Sequence, residues 1–318
     1  MNPDGSTSIA ETVGPTFKLY RKLLQRNEDA IKSTLRKTFA FGPNPRHLLD
    51  LYYPSANQTG ADCPVLIFIY GGGLWQGDRL SPDGLLYANL GHFFAEKCGY
   101  VVAIPDYRLV PEAKFPSGGE DIALVVQWLM DNPDKFGAGD GEKARSLFMM
   151  GSSAGSIHLS TFLLQQCFAS IMNQIVGSGN SCRLRLRAVI LCSMPAHFRH
   201  SNPARAQVLT SYFADDIDRN CPLGQLEICK RENHISEVMP GIKVLLLTGS
   251  LDPEDEILGP VRDFATCWRS DGARSAAMLE VQVMDGHNHI SPNLSLGTCD
   301  LAEETWGFQV AEFCNAIA

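Results

Sequence analysis

Short, continuous apolar runs recur along this chain, separated by segments of helical periodicity. Pro64-Val65-Leu66-Ile67-Phe68-Ile69 has no polar position. A run this short, rich in β-branched and aromatic residues, predicts a strand buried on both faces of a parallel sheet. Strands are predicted in the same way over Val65–Tyr70, Tyr100–Ile104, Leu147–Met150 and Ala188–Cys192, then over Lys243–Ser250 and Leu279–Met284. Leu48–Tyr53 reads as an outer strand. Helix-compatible stretches lie between them at Pro82–Lys97, Gly119–Met130 and Ala154–Ala169. Strands alternating with helices predict a mostly parallel sheet covered by helices on both faces. From Ile9 to Thr38, Phe17, Tyr20, Leu23, Leu24, Ile31 and Leu35 are spaced for one helical face. Between Pro195 and Gly241 no strand pattern appears, and Phe198, Tyr212, Phe213 and Ile228 are mixed with charged residues. Loops of that length are usually functional when ordered. The chain thus reads as one α/β domain, 1–318, with cap elements at about 9–38 and 195–240. It has no repeat and no low-complexity tract.

Chemistry enters where these strands end. Gly151-Ser152-Ser153-Ala154-Gly155 sits between a strand and a helix. G-x-S-x-G in that context describes a nucleophile elbow, whose strained turn demands small neighbours around Ser153. Tyr70-Gly71-Gly72-Gly73-Leu74-Trp75 follows the Val65 strand. Three glycines there let backbone N–H groups turn toward an oxyanion. No Gly-Lys-Ser/Thr follows, so a P-loop is poorly supported. Asp252 lies past the Lys243 strand, with Glu254 and Asp255 as competitors. Beyond the Leu279 strand comes Asp285-Gly286-His287-Asn288-His289, which offers two bases. The order serine, acid, histidine is that of an α/β-hydrolase.

The chain resembles the hormone-sensitive-lipase-like carboxylesterases, α/β-hydrolases, over nearly its whole length. Asp106-Tyr107-Arg108-Leu109-Val110-Pro111-Glu112-Ala113-Lys114-Phe115-Pro116 is close to that group's D-Y-R-L-A-P-E-x-x-F-P block. Two positions depart from the group: Tyr70 replaces the histidine of His-Gly-Gly-Gly, and Ser152 the aspartate of Gly-Asp-Ser-Ala-Gly. The Gly-Gly-x-Trp loop and the Asn-His-Ile ending also resemble kynurenine formamidase. The resemblance implies Ser153, Asp252 and His289 as the catalytic triad, the spacing Gly286-x-x-His289 favouring His289 over His287. It implies Gly72, Gly73 and Ala154 as oxyanion donors. Leu74 and Trp75 are expected to wall the substrate pocket, with Phe198, Tyr212 and Phe213 contributed by the cap. Tyr70 either packs beneath the glycine loop or touches substrate. His158, one turn into the nucleophile helix, reads as a packed or capping histidine.

Composition narrows the partners. In 318 residues, 45% hydrophobic and 19% charged content is that of a globular protein. A net charge of −8 offers no basic surface for nucleic acid. No stretch of 18 apolar residues exists, so no membrane span is expected. The start lacks the charged and apolar regions of a secretory signal. With ten cysteines and no C-x-x-C pair, free thiols in a reducing compartment are expected. Asn57-Gln58-Thr59 and Asn293-Leu294-Ser295 match glycosylation acceptors, which without a signal are read as coincidental. The histidines show no metal-ligand spacing, so neither metal nor cofactor is expected. The reading is a cytoplasmic, cofactor-independent serine esterase of small or medium hydrophobic substrates, acting through an acyl-enzyme and compatible with a homodimer. An arylformamidase-type amidase, or an acyl-transferring or lactone-forming cyclase, would use the same triad.

Overall fold

A computed structural model describes residues 7–55, 63–137, 143–177, 183–233 and 235–318. Asn57-Gln58-Thr59 and Cys182 lie outside the described residues. The chain opens with helices α1 (Ile9–Gln25) and α2 (Glu28–Ser33), then strands β1 (Arg36–Ala40), β2 (Leu48–Tyr52) and β3 (Val65–Ile69). Helix α3 (Ala88–His92), a π-helical turn (Phe93–Lys97), β4 (Val101–Pro105) and α4 (Ser117–Asp131) follow. Next come β5 (Arg145–Ser152), α5 (Ala154–Leu164), α6 (Ala169–Val176) and β6 (Leu184–Cys192). Four helices fill the next stretch: α7 (Ala206–Phe213), α8 (Ile217–Asn220), α9 (Pro222–Glu232) and α10 (Ile235–Val238). The remainder is β7 (Lys243–Gly249), α11 (Gly259–Arg269), α12 (Ala273–Ala276), β8 (Leu279–Met284), α13 (Ser291–Ser295) and α14 (Leu301–Asn315).

All eight strands form one sheet in the order β1-β2-β4-β3-β5-β6-β7-β8. Only β2 runs against its neighbours, and every pair from β4 to β8 is parallel. The five residues of β3 are all buried, as a strand covered on both faces requires. Helix α5 is buried at every position, so its apolar residues are not confined to one stripe. It descends from the end of β5, near the middle of the sheet, so the residue joining them stands above the carboxyl edge. The loops after β3, β7 and β8 emerge at that same edge, where doubly wound sheets hold their ligands.

Three expected boundaries are corrected. The helical pattern from Ile9 to Thr38 breaks at Arg26, and Arg36–Ala40 is an antiparallel strand on β2. Its exposed Arg36-Lys37-Thr38 hides the strand in the sequence, because edge strands carry charge rather than alternation. Pro82–Tyr87 is not helical. Ser81 and Asp83 capture nearby N–H groups of Leu86 and Leu85, and Gly84 takes φ +75°. The helix expected over Ala154–Ala169 ends at Leu164, because Gln165 is extended; α6 then starts anew. No helix among the described residues is long and apolar enough to cross a membrane.

Candidate active site

Ser153 joins β5 to α5 with φ 52° and ψ −117°, a conformation that side chains rarely adopt. The glycines around it are sterically required. A Cβ on Gly155 would lie 2.0 Å from the Ile69 carbonyl oxygen, and one on Gly151 would meet the backbone of Gly155 and Ser156 at 2.7 Å. Close packing of β3, β5 and α5 thus forces the sharp turn that lifts the Ser153 hydroxyl off the sheet.

Of the two histidines beyond β8, His289 meets the serine. Its Nε2 is 2.8 Å from Ser153 Oγ and its Nδ1 is 3.0 Å from Asp252 Oδ1. Asp252 can only accept when ionised, so Nδ1 carries the imidazole proton and Nε2 is left to accept from the hydroxyl. Asp252 is buried, and its other oxygen accepts from the Gly249 N–H and the Ser193 hydroxyl, each at 2.7 Å. The competing acids stand aside: Glu254 pairs with Arg262 on the surface, while Asp255 and Asp285 are exposed. His287 is turned to Ser291 at 3.0 Å, and burial pushes its imidazole pKa down. Between the two histidines, Asn288 donates to Thr16 at 2.9 Å and so ties α1 to the loop carrying His289.

The glycine loop lies against the elbow. A Cβ on Gly71 would sit 3.1 Å from the Ser153 Cβ, and one on Gly72 would strike the Gln76 carbonyl at 1.9 Å. Gly72 and Gly73 take φ 141° and 63°, which suits glycine. Among the described residues, the N–H groups of Gly72, Gly73 and Ala154 donate to no backbone carbonyl outside regular elements. Ala154 heads α5, where an N–H has no partner within the helix.

Tyr70 lies beneath this loop, fully buried and off the pocket wall, so it packs under the loop and does not reach substrate space. Its hydroxyl donates to Asp106 Oδ1 at 2.7 Å and accepts from Arg46 Nη2 at 3.0 Å, while Arg46 also donates to the Gly77 carbonyl at 2.7 Å. The Tyr107 hydroxyl donates to the Tyr70 carbonyl at 2.9 Å. The Asp106-Tyr107 pair of the sequence block therefore works by clamping the loop from below. Ser152, the other departure, accepts from Asn293 Nδ2 at 3.2 Å.

Ser153, Ala154, His289 and the glycine loop open into a pocket of about 830 Å³. Leu74, Trp75 and Phe198 line it, with Val13 and Phe17 from α1. Tyr212 and Phe213 do not. They are packed behind the wall, Tyr212 with its hydroxyl 3.2 Å from His158 Nδ1 and Phe213 against Phe115 and Phe198. Val208 and Leu209 on the same helix face the pocket instead. Which side of α7 turns inward depends on how it docks, which the pattern of large residues does not encode. Burial drives the His158 pKa down to about 3, so it stays neutral. Among the described residues no three metal-binding side chains converge.

Comparisons with known proteins agree with this architecture. An isoprenylcysteine alpha-carbonyl methylesterase of Arabidopsis thaliana is 31% identical over 142 residues, 45% of this chain and 30% of that protein. An ethyl acetate hydrolase of Pseudomonas putida is 30% identical over 119 residues, 37% of this chain and 34% of that protein. The match thus spans about a third of the length of these curated relatives. Among solved structures, esterase B from Lactobacillus rhamnosis superimposes with a TM-score of 0.66 at 16% identity, covering 97% of this chain and 95% of that one. An esterase from Pyrobaculum calidifontis gives 0.62 at 18% identity, covering 95% and 94%. These likenesses establish the α/β-hydrolase fold. The BD-FAE family model matches residues 49–222, more than half of the 318, running from β2 through the elbow into the start of α9; the chain belongs to the BD-FAE family.

Proposed function

We propose that the chain is a serine carboxylesterase that cleaves esters of small or medium hydrophobic acids or alcohols. The observation that carries this reading is the continuous relay from Ser153 Oγ through His289 to Asp252, at 2.8 and 3.0 Å. Esterase relatives and an apolar-walled pocket at the serine support it. Ser153 Oγ attacks the ester carbonyl carbon as His289 Nε2 takes its proton. The charge that develops on the carbonyl oxygen is met by the N–H groups of Ala154, Gly72 and Gly73. Collapse of the tetrahedral intermediate breaks the ester bond, and His289 returns the proton to the departing alkoxide. Water, deprotonated by His289, then releases the acid from the acyl-enzyme. Asp252 holds the imidazole in the tautomer that both steps need.

The segment Pro195–Pro240, with α1, acts as a cap over this site within a single domain. Its support is the shared wall of Val13, Phe17, Phe198, Val208 and Leu209. Hydrolysis of a p-nitrophenyl ester series, run beside N-formylkynurenine, tests the substrate class. Ester turnover with formamide inert is expected. The reverse preference would move the assignment to an amidase that uses the same residues.

A further inference from the structure

Ser193 stands just past β6 in a left-handed conformation, φ 45°, that is uncommon for any residue but glycine. It is 1% exposed. Two bonds hold it between strands. Its N–H donates to the Leu247 carbonyl of β7 at 2.7 Å, and its hydroxyl donates to Asp252 Oδ2 at 2.7 Å. Strain that persists in a buried residue marks a position which its surroundings over-determine, and such positions cluster at functional sites. Glycine would relieve the backbone here, but it would remove the hydroxyl.

We infer that Ser193 is a positioning residue, whose hydroxyl fixes the Asp252 carboxylate so that Oδ1 faces His289 Nδ1. The inference rests on the triad proposed above. A carboxylate can rotate about its Cβ–Cγ bond. Without the Ser193 donor, the described contacts leave Oδ2 only the Gly249 N–H. With both donors, Oδ2 is saturated on the side away from His289 and the second oxygen is committed to the imidazole. Hydrogen bonds to a charged acceptor are the strong class, so the hydroxyl both anchors the carboxylate and shares its charge.

The test compares Ser193→Ala with Ser193→Gly in the full chain. Alanine removes the hydroxyl alone and keeps the strained backbone, whereas glycine removes the whole side chain and accepts φ 45° without strain, so the pair separates the hydrogen bond from the backbone. A fluorophosphonate titration counts competent sites, and kcat is expressed per titrated site. In both variants kcat is expected to fall about 10- to 100-fold, the range for losing a hydrogen bond to a charged group, with KM within about twofold of the parent. The downfield proton signal of the His289 Nδ1–H is expected to shift. Parent-level kcat in Ser193→Gly, a change in KM alone, or an unshifted imidazole signal would each overturn the inference. Failure of the parent enzyme to take the fluorophosphonate at Ser153 would instead remove the triad on which it rests, so the two failures are distinguishable.

Discussion

Replacing Leu209 by alanine should lengthen the hydrocarbon chain that the pocket prefers. Leu209 is buried, lines the pocket, and packs in a cluster with Leu74, Ala154 and Ile157 beside the elbow. The substitution removes three carbon atoms from the wall. Each methylene that enters apolar surroundings gains about 0.8 kcal/mol, which is about fourfold in kcat/KM. Three methylenes filling the space would gain about 2.4 kcal/mol, or roughly sixtyfold. In the parent, kcat/KM on p-nitrophenyl esters should climb about fourfold per carbon and fall once the pocket is full. In Leu209→Ala the maximum should move two or three carbons longer, and the ratio of long to short esters should rise by up to that sixtyfold. A buried Leu→Ala change also costs about 2–5 kcal/mol of stability, so rates are normalised to active sites. If Leu209→Ala and Val208→Ala both keep the parent profile while Trp75→Ala shifts it, the cap is not the specificity element and the core loop is.

His289→Ala should abolish ester turnover, whereas His287→Ala should keep a substantial part of it; the opposite order would reverse the assignment of the base. Tyr70→Phe removes a hydroxyl that donates to a buried carboxylate, so urea unfolding should report a loss of about 1.5–3 kcal/mol. A parent-like midpoint would mean that Arg79 and Arg46 hold Asp106 without the hydroxyl. His158 should make the protein acid-sensitive. Its folded pKa of about 3 lies below the unfolded 6.5, so the unfolded chain binds the extra proton between these values. Stability is therefore full above about pH 6.5 and falls toward pH 3, by up to about 1.4 kcal/mol per pH unit. His158→Gln should flatten that slope in pH-dependent denaturation, and an unchanged slope would assign it to other groups.

Much of the sheet and of the candidate site is legible in the sequence because both depend on local signals. The core strands are unbroken apolar runs, and the serine elbow is marked by glycines that steric contact requires. Choosing His289 over His287 took a family spacing, since both residues are buried in one loop and only the turn decides which ring meets Ser153. Strand β1 escaped notice because charge replaces hydrophobic alternation on an edge. Tyr212 and Phe213 read as pocket residues because they are apolar and lie in the strandless cap segment, yet docking of α7 turns Val208 and Leu209 inward. Ser193 carried no signal at all: its role depends on contact with a residue 59 positions away. For Tyr70 the sequence leaves open packing beneath the loop or contact with substrate; the hydroxyl clamped between Asp106 and Arg46 places it beneath the loop.

The account turns on Ser153. A fluorophosphonate should add one phosphonyl group, and peptide mass spectrometry should find it on Ser153. Ser153→Ala should lose both the label and at least ~1000-fold of ester turnover. A label on Ser152, or a Ser153→Ala variant that still hydrolyses p-nitrophenyl esters near the parent rate, would contradict it.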